Sequence, residues 1–208
     1  MTRRGTGPPA RPPAPGGFVR PARAGDAGEV ARVQVACWRC GYAGIVPGAL
    51  LAELTGDQAR QVWRDRWRDA ITNPPTSRHR VLVAVDAVAG GPGGAVPPGR
   101  HGAVAGFASV GPATDRDRWP ATDAEIYELR VAPGRTGHGH GSRLLHAVAD
   151  TVADDGFRTL SAWVLEADQA LLRFLESAGW SADGATGELD VGVSLPVVRL
   201  HAAVSEPA

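Results

Sequence analysis

The chain has 208 residues, 43% hydrophobic and 21% charged, which suits one well-buried globular domain and is short for two. Its 22 basic and 22 acidic residues balance to a formal net charge of zero, which argues against a broad basic face for nucleic acid. None of the basic residues is lysine, so a Walker A loop, which requires Gly-Lys-Ser/Thr, is excluded.

Cys37 and Cys40 form a lone C-x-x-C with no second pair of metal ligands at suitable spacing, and they sit inside a helical pattern rather than after a strand. They read as ordinary reduced thiols, with no metal. No apolar run reaches the length of a membrane span, and the first residues lack the apolar centre of a secretory signal. The expectation is a cytoplasmic protein.

Residues 1–17, MTRRGTGPPARPPAPGG, have no apolar periodicity and read as a disordered Pro/Arg-rich tail. A single domain is expected over 18–204, followed by a short tail at 205–208. Within it, Phe18–Ala22 reads as a strand. Asp26 and Glu29 form a capping-box-like pair, and Val30, Val33, Ala36, Cys37 and Cys40 then recur at helical spacing to about Arg39 or Gly41. A turn at Gly44 and Pro47 leads to a short helix ending near Leu54. Asp57 opens a third helix, stopped by Asn73-Pro74-Pro75. Arg80–Val88 and Ala103–Val110 read as a strand hairpin around a Gly/Pro-rich loop, 89–101.

Glu125–Ala132 is the next strand. It breaks at Pro133-Gly134 and crosses a turn in which Gly137, Gly139 and Gly141 alternate with His138, His140 and Ser142, before a helix from about Gly141 to Asp154. Small residues let a ligand approach the backbone, and free N–H groups at a helix start favour an anion, so this stretch reads as a phosphate cradle. Gly156 ends the helix. Thr159–Leu165 is an apolar strand, Asp168 an N-cap candidate, and Ala170–Ala178 a helix closed by Gly179. Trp180 starts a further strand. Glu188–Val193 and Val197–Val204 read as short closing strands, Pro196 suggesting an edge or a bulge. The β–α–β unit across the glycine turn should be parallel.

This order and four motifs together resemble the Gcn5-related N-acetyltransferase superfamily. The motifs are Leu129-Arg130-Val131-Ala132-Pro133, the run from Gly137 to Leu145, Trp163-Val164-Leu165-Glu166 followed by Asp168, and Phe174-Leu175-Glu176-Ser177-Ala178-Gly179-Trp180. The resemblance implies an α/β (α+β) fold: a mixed, mostly antiparallel, splayed sheet of six to seven strands flanked by about four helices. It implies acetyl-CoA as co-substrate between the fourth and fifth strands. The pantetheine arm would lie along Leu129, Arg130 and Val131. The pyrophosphate would lie on Gly137, His138, Gly139, His140, Gly141 and Ser142, with Arg135 and Thr136 leading in and Asp168 and Phe174 completing the cofactor set. His138 and His140 have no counterpart requirement in the family and read as exposed loop histidines.

Three positions depart from the family pattern. Thr136 stands where Gln or Arg is usual, and Asp168 where asparagine is common. Leu175 stands where a tyrosine often protonates the departing thiolate, and leucine cannot donate a proton.

Acetyl transfer to an amine needs a polarised thioester carbonyl, supplied by backbone N–H near Val131, and a base. Glu125, six residues before Val131, occupies the place of a catalytic glutamate in part of the family; Glu128 is the other candidate. On a regular strand the two point to opposite faces, so only one reaches the cleft unless a bulge intervenes. Glu125 is favoured, against a reading of both as surface carboxylates. Residues 38–72 and 112–124 should set acceptor specificity, with Trp38, Tyr42, Trp63, Trp67 and Trp119 available as walls or as core. The acceptor would be a small amine or a protein N-terminal amine. Amino acids, polyamines, aminoglycosides and protein N-termini all remain open, as does a homodimer; neither nucleic acid nor membrane is expected as a partner. The competing reading is a non-catalytic acyl-CoA-binding or regulatory module that kept the cradle and lost the acid. A dinucleotide-binding oxidoreductase fits poorly, because the glycine loop follows a hairpin and Ser142 replaces its last glycine.

Overall fold

The computed structural model describes residues 17–86 and 102–204, so all but Gly17 of the expected tail at 1–17, the tail at 205–208, the last two residues of the strand expected over 80–88 and the loop 89–101 lie outside the described residues. In chain order the elements are β1 (Phe18–Pro21), a single 3-10 turn (Ala24–Asp26), α1 (Ala27–Gly41), α2 (Gly48–Thr55), α3 (Asp57–Thr72), β2 (Arg80–Val85), β3 (Val104–Pro112) and β4 (Asp123–Val131). Then follow α4 (His140–Asp154), β5 (Thr159–Leu165), α5 (Gln169–Ser177), β6 (Ser181–Asp190) and β7 (Ser194–Ala203). The strands form one sheet in the order β1-β2-β3-β4-β5-β7-β6, parallel only between β4 and β5. Among the described residues five α-helices flank it, where about four were expected.

The apolar run of β2 is continuous because both its faces are covered. Leu82 and Ala84 join a core with α4, through Leu144, Leu145, Val148 and Val152. Val83 and Val85 join a second core on the opposite face with α1 and α3, through Val30, Val33 and Trp67. A third cluster of Trp38, Tyr42, Val46, Leu165, Leu195 and Val197 closes the end of the sheet beside α1 and α2.

Two local rules end the helices where the sequence placed them. Gly156 and Gly179 adopt φ of +79° and +87°, past the ends of α4 and α5, a conformation that costs glycine little. Asp168 caps α5 by accepting the Leu171 N–H at 3.0 Å. Asp26 does not cap α1 with its side chain; it accepts instead from Arg23 N–H and pairs with Arg20, both at 2.7 Å.

The chain's end differs from the short strands expected. β6 and β7 are ten-residue strands forming a hairpin. Strand β7 lies between β5 and β6, yet it tolerates Pro196. The Pro196 carbonyl faces the β5 side and accepts from Glu166 N–H at 3.0 Å, one residue beyond the last β5 pair, Leu165↔Val197. The absent N–H therefore points past the end of β5 and removes no rung with β6.

One irregularity shapes everything that follows. β3 pairs Ser109 with Glu128 but Val110 with Ile126, leaving Tyr127 as an extra residue on β4. The ladder between β4 and β5 also stops at Ile126↔Ala162, so the two strands diverge from that point. Leu175 of α5 is 1% exposed and lines the narrow end of the wedge between them.

Candidate active site

Beyond Ile126 the edge of β4 is open toward the gap. Ala132 N–H donates to Ala105 O at 2.8 Å, so Ala132 and, two residues back, Arg130 turn their backbone groups toward β3. Leu129 and Val131 therefore turn theirs toward the gap, past the last pair with β5. The Val131 carbonyl accepts from the Cys37 thiol at 3.2 Å. Burial pushes that thiol's pKa up to about 11, so Cys37 stays protonated and acts as a donor. Cys40, one turn on, is an exposed free cysteine.

A cleft of about 790 Å³ runs from this edge to the glycine turn, with Leu129, Val131, Gly137, Gly141 and Phe174 in its walls. Gly137 and Gly139 hold φ of +75° and +76°, which bends the chain into the start of α4 with Gly139 as its N-cap. The first bond into the helix runs from Arg143 N–H to Gly139 O at 3.1 Å, so the N–H groups of His140, Gly141 and Ser142 precede it. A Cβ at Gly141 would stand 3.4 Å from Phe174 Cζ, which keeps the cleft narrow enough for the backbone itself to meet a ligand. A helix start approached through Gly137, Gly139 and Gly141 is suited to a phosphate.

Most of the cradle residues named from the sequence line this cleft: Leu129, Arg130, Val131, Arg135, Thr136, Gly137, Gly139, Gly141, Ser142, Asp168 and Phe174. The two histidines are placed elsewhere. His138 is exposed, its Nδ1 2.9 Å from the Thr136 carbonyl. His140, expected to be exposed, is 4% exposed, with Nε2 3.0 Å from Asp86 Oδ1 at the end of β2. Burial lowers its pKa and Arg143 adds to that, against the pull of Asp86. It braces the turn from behind. Asp86 also holds Arg135 at 2.8 Å, which ties both ends of the turn to β2.

A second cavity of about 650 Å³ meets the first at Trp38, Tyr42, Arg130, Asp168 and Leu171. The extra residue at Tyr127 decides its chemistry. Before it, Glu125 and Tyr127 point one way; after it, Glu128 and Arg130 point the same way, and all four line this cavity. Ala124, Ile126, Leu129 and Val131 pack on the other face, against α4. The bulge thus overturns the expectation that Glu125 and Glu128 face apart.

The two carboxylates are held differently. Glu125 is 7% exposed and has no cationic partner among the described residues; Thr114 donates its N–H and hydroxyl to Oε2 at 3.0 and 2.9 Å. Glu128 is paired with Arg130 Nε at 2.9 Å, and Arg130 reaches Asp168 at 3.8 Å. Of the aromatic residues named from the sequence, Trp38, Tyr42 and Trp63 line this cavity. Trp67 is core, packed edge-on against Phe107 and donating to Gln34, while Trp119 is 68% exposed.

Several contributors were given no role in the site from the sequence. Trp163 forms a wall, its indole N–H donating to Asp115 at 2.9 Å. Arg199, 4% exposed, donates to Asp115 at 2.8 Å, Asp117 at 2.6 Å and Asp183 at 2.8 Å. This clamp fastens the loop that carries Thr114 to β6 and β7. Only tertiary structure unites those residues, and no local spacing announces them. Among the described residues no group of three or more His, Cys, Asp or Glu is placed to hold a metal ion, and no helix is long and apolar enough to cross a membrane.

Residues 51–180 match the family model described as the acetyltransferase (GNAT) family. The chain belongs to that family. As a member it is an acyltransferase, and the diverging β4 and β5 with the glycine turn are its version of the family's fold. A relative in Bacillus subtilis (strain 168), the uncharacterised N-acetyltransferase YuaI, is 29% identical over 154 residues, 74% of this chain and 75% of that protein. Among solved structures, yncA of Salmonella typhimurium, whose structure holds its cofactor acetyl-CoA, shares 18% identity over 93% of this chain and 97% of its own, with a TM-score of 0.62. PaiA N-acetyltransferase of Thermoplasma acidophilum, solved with coenzyme A, shares 15% over 88% and 97%, with a TM-score of 0.61. At these identities the two structures bear on the fold alone.

Proposed function

We propose that this acetyltransferase moves an acetyl group from acetyl-CoA to a primary amine, with Glu125 as the base. One observation carries the reading. The open edge of β4 lies where a glycine-lined cleft ending on a helix start meets a cavity holding a buried carboxylate, and the two share Tyr42 and Arg130. The presence of acetyl-CoA in yncA and of coenzyme A in PaiA supports the choice of donor.

In this reading the N–H groups of residues 140–142 receive the pyrophosphate, and Gly137, Gly139 and Gly141 leave room for it. Leu129 and Val131 hold the pantetheine arm as an added strand would. The Val131 N–H faces the thioester carbonyl and stabilises the charge that develops on its oxygen. Glu125 takes one proton from the incoming ammonium, so that the neutral nitrogen attacks the carbonyl carbon as the C–S bond breaks. Tyr42 gives its phenolic proton to the departing sulfur and regains one from the nitrogen. The balance is one amide, one CoA thiol and one proton released. Tyr42 takes this part because Leu175 cannot. Its hydroxyl has no hydrogen-bond partner among the described residues, and burial raises its pKa, with Glu128 adding to that against Arg130, so it is protonated at neutral pH.

The test is release of free thiol from acetyl-CoA on addition of amines, with the N-acetylated amine recovered in equal amount. Tight acetyl-CoA binding with no turnover on any amine would favour the acyl-CoA-binding module instead.

A further inference from the structure

The second cavity carries a statement about the acceptor, resting on the reading of this chain as an acetyl-CoA-dependent N-acetyltransferase. Its charges divide into those already matched, Glu188, which is exposed to water, and one buried carboxylate that is not matched. Asp115 belongs to Arg199 at 2.8 Å, and Glu128 to Arg130 at 2.9 Å, with Asp168 on the far side of the same guanidinium at 3.8 Å. Arg130, the cation in the cavity's lining, is therefore flanked by two carboxylates and has no charge left to offer an acidic ligand. Glu125 has neutral donors only. A buried carboxylate without a countercharge is costly unless a cation completes it.

One part of the wall is aromatic. Trp38 packs on Tyr42 with ring centroids 5.7 Å apart and meets Trp63 edge-on at 5.0 Å. Trp163 stands among the lining residues with its N–H already given to Asp115. Indole and phenol faces attract both flat apolar bodies and cations. A cavity of about 650 Å³ lies in the range that encloses a drug-sized molecule.

We infer that the acceptor is a primary amine with an apolar, ring-sized body and no acidic group, its ammonium on Glu125 and its body between the tryptophans. An amino acid is disfavoured because its carboxylate would face Glu125 with no free cation to receive it.

Three commercial amines separate these terms on the full-length protein. 2-Phenylethylamine has the body and the cation, phenylalanine adds only a carboxylate, and ethylamine lacks the ring. Calorimetric titration without acetyl-CoA should show 2-phenylethylamine binding at least tenfold tighter than either of the others. Trp163→Ala should erase its advantage over ethylamine, and Glu125→Gln should shrink its advantage over phenylalanine. Phenylalanine or ethylamine binding as well as 2-phenylethylamine, or no binding by any of the three, would overturn the inference. Thiol release measured in parallel keeps the two readings apart. Selective binding without thiol release upholds the acceptor class and removes the transferase reading. Thiol release that favours phenylalanine does the opposite.

Discussion

Thr114 gives both its donors, the backbone N–H at 3.0 Å and the hydroxyl at 2.9 Å, to the same oxygen of Glu125, Oε2. Oε1 has no partner among the described residues and belongs to a side chain that lines the second cavity. One oxygen is anchored and the other is free for a proton. Thr114 lies on the β3–β4 loop and Glu125 on β4, so the loop orients the proposed base. Thr114→Val should therefore lower kcat about tenfold while leaving the dissociation constant of acetyl-CoA unchanged, consistent with the modest worth of one hydrogen bond to a charged group. Steady-state kinetics with calorimetric acetyl-CoA titration checks this; an equal loss in cofactor binding would mean that the loop supports the whole fold instead.

Gly141→Glu should abolish acetyl-CoA binding and leave the protein folded. Gly141 lies in the first turn of α4, and an anionic side chain there would occupy the cleft and repel a phosphate from the helix start. Circular dichroism with acetyl-CoA titration separates loss of the site from loss of the fold.

Tyr42→Phe should lower kcat about tenfold with little change in acetyl-CoA affinity. Burial raises the Tyr42 pKa above its ordinary value, so the phenol is protonated throughout pH 6–9 and the deficit should be flat across that range. A deficit that grows or vanishes within it would assign the proton to another group.

The Arg199 clamp predicts an acid limb of stability. The hydrogen bond to Arg199 holds Asp117 at a pKa of about 2, below the ordinary aspartate value. Asp183 is also lowered: burial pushes it up, but the Ala185 N–H and Arg199 outweigh that. Groups depressed on folding contribute stability that is complete above the unfolded pKa, about 4, and drains away as pH falls toward 2. Arg199→Met should destabilise the protein by about 3 kcal/mol near neutrality, the scale for removing one partner of a buried charge network. The difference in melting temperature between the two proteins should narrow from pH 5 to pH 2.5. A constant difference would mean that Arg199 contributes by packing alone.

Much of this was legible from local chemistry. Thr159–Leu165 reads as a buried strand from its apolar run, and Asp168, Gly156 and Gly179 mark helix ends because caps act within one turn. The glycine turn announces itself because the backbone there requires glycine. What escaped reading is non-local. Nothing in Glu125-Ile126-Tyr127-Glu128 marks the extra residue at Tyr127, since a bulge is defined against the partner strand, yet it turns Glu128 onto the face of Glu125. His140 is buried through Asp86 on another strand. Strand β6 is polar and largely exposed, so it lacks the alternation that would reveal its length; pairing with β7 makes it a strand.

The central claim is that Glu125 accepts a proton during acetyl transfer at the open edge of β4. The most direct measurement compares wild type and Glu125→Gln for N-acetyl product formation from acetyl-CoA, as a function of pH, with acetyl-CoA affinity determined on the same preparations. The account predicts a kcat loss of about 10²–10⁴ in the variant, a changed pH profile, and unchanged cofactor affinity. Equal rates and superimposable pH profiles for the two proteins would contradict it.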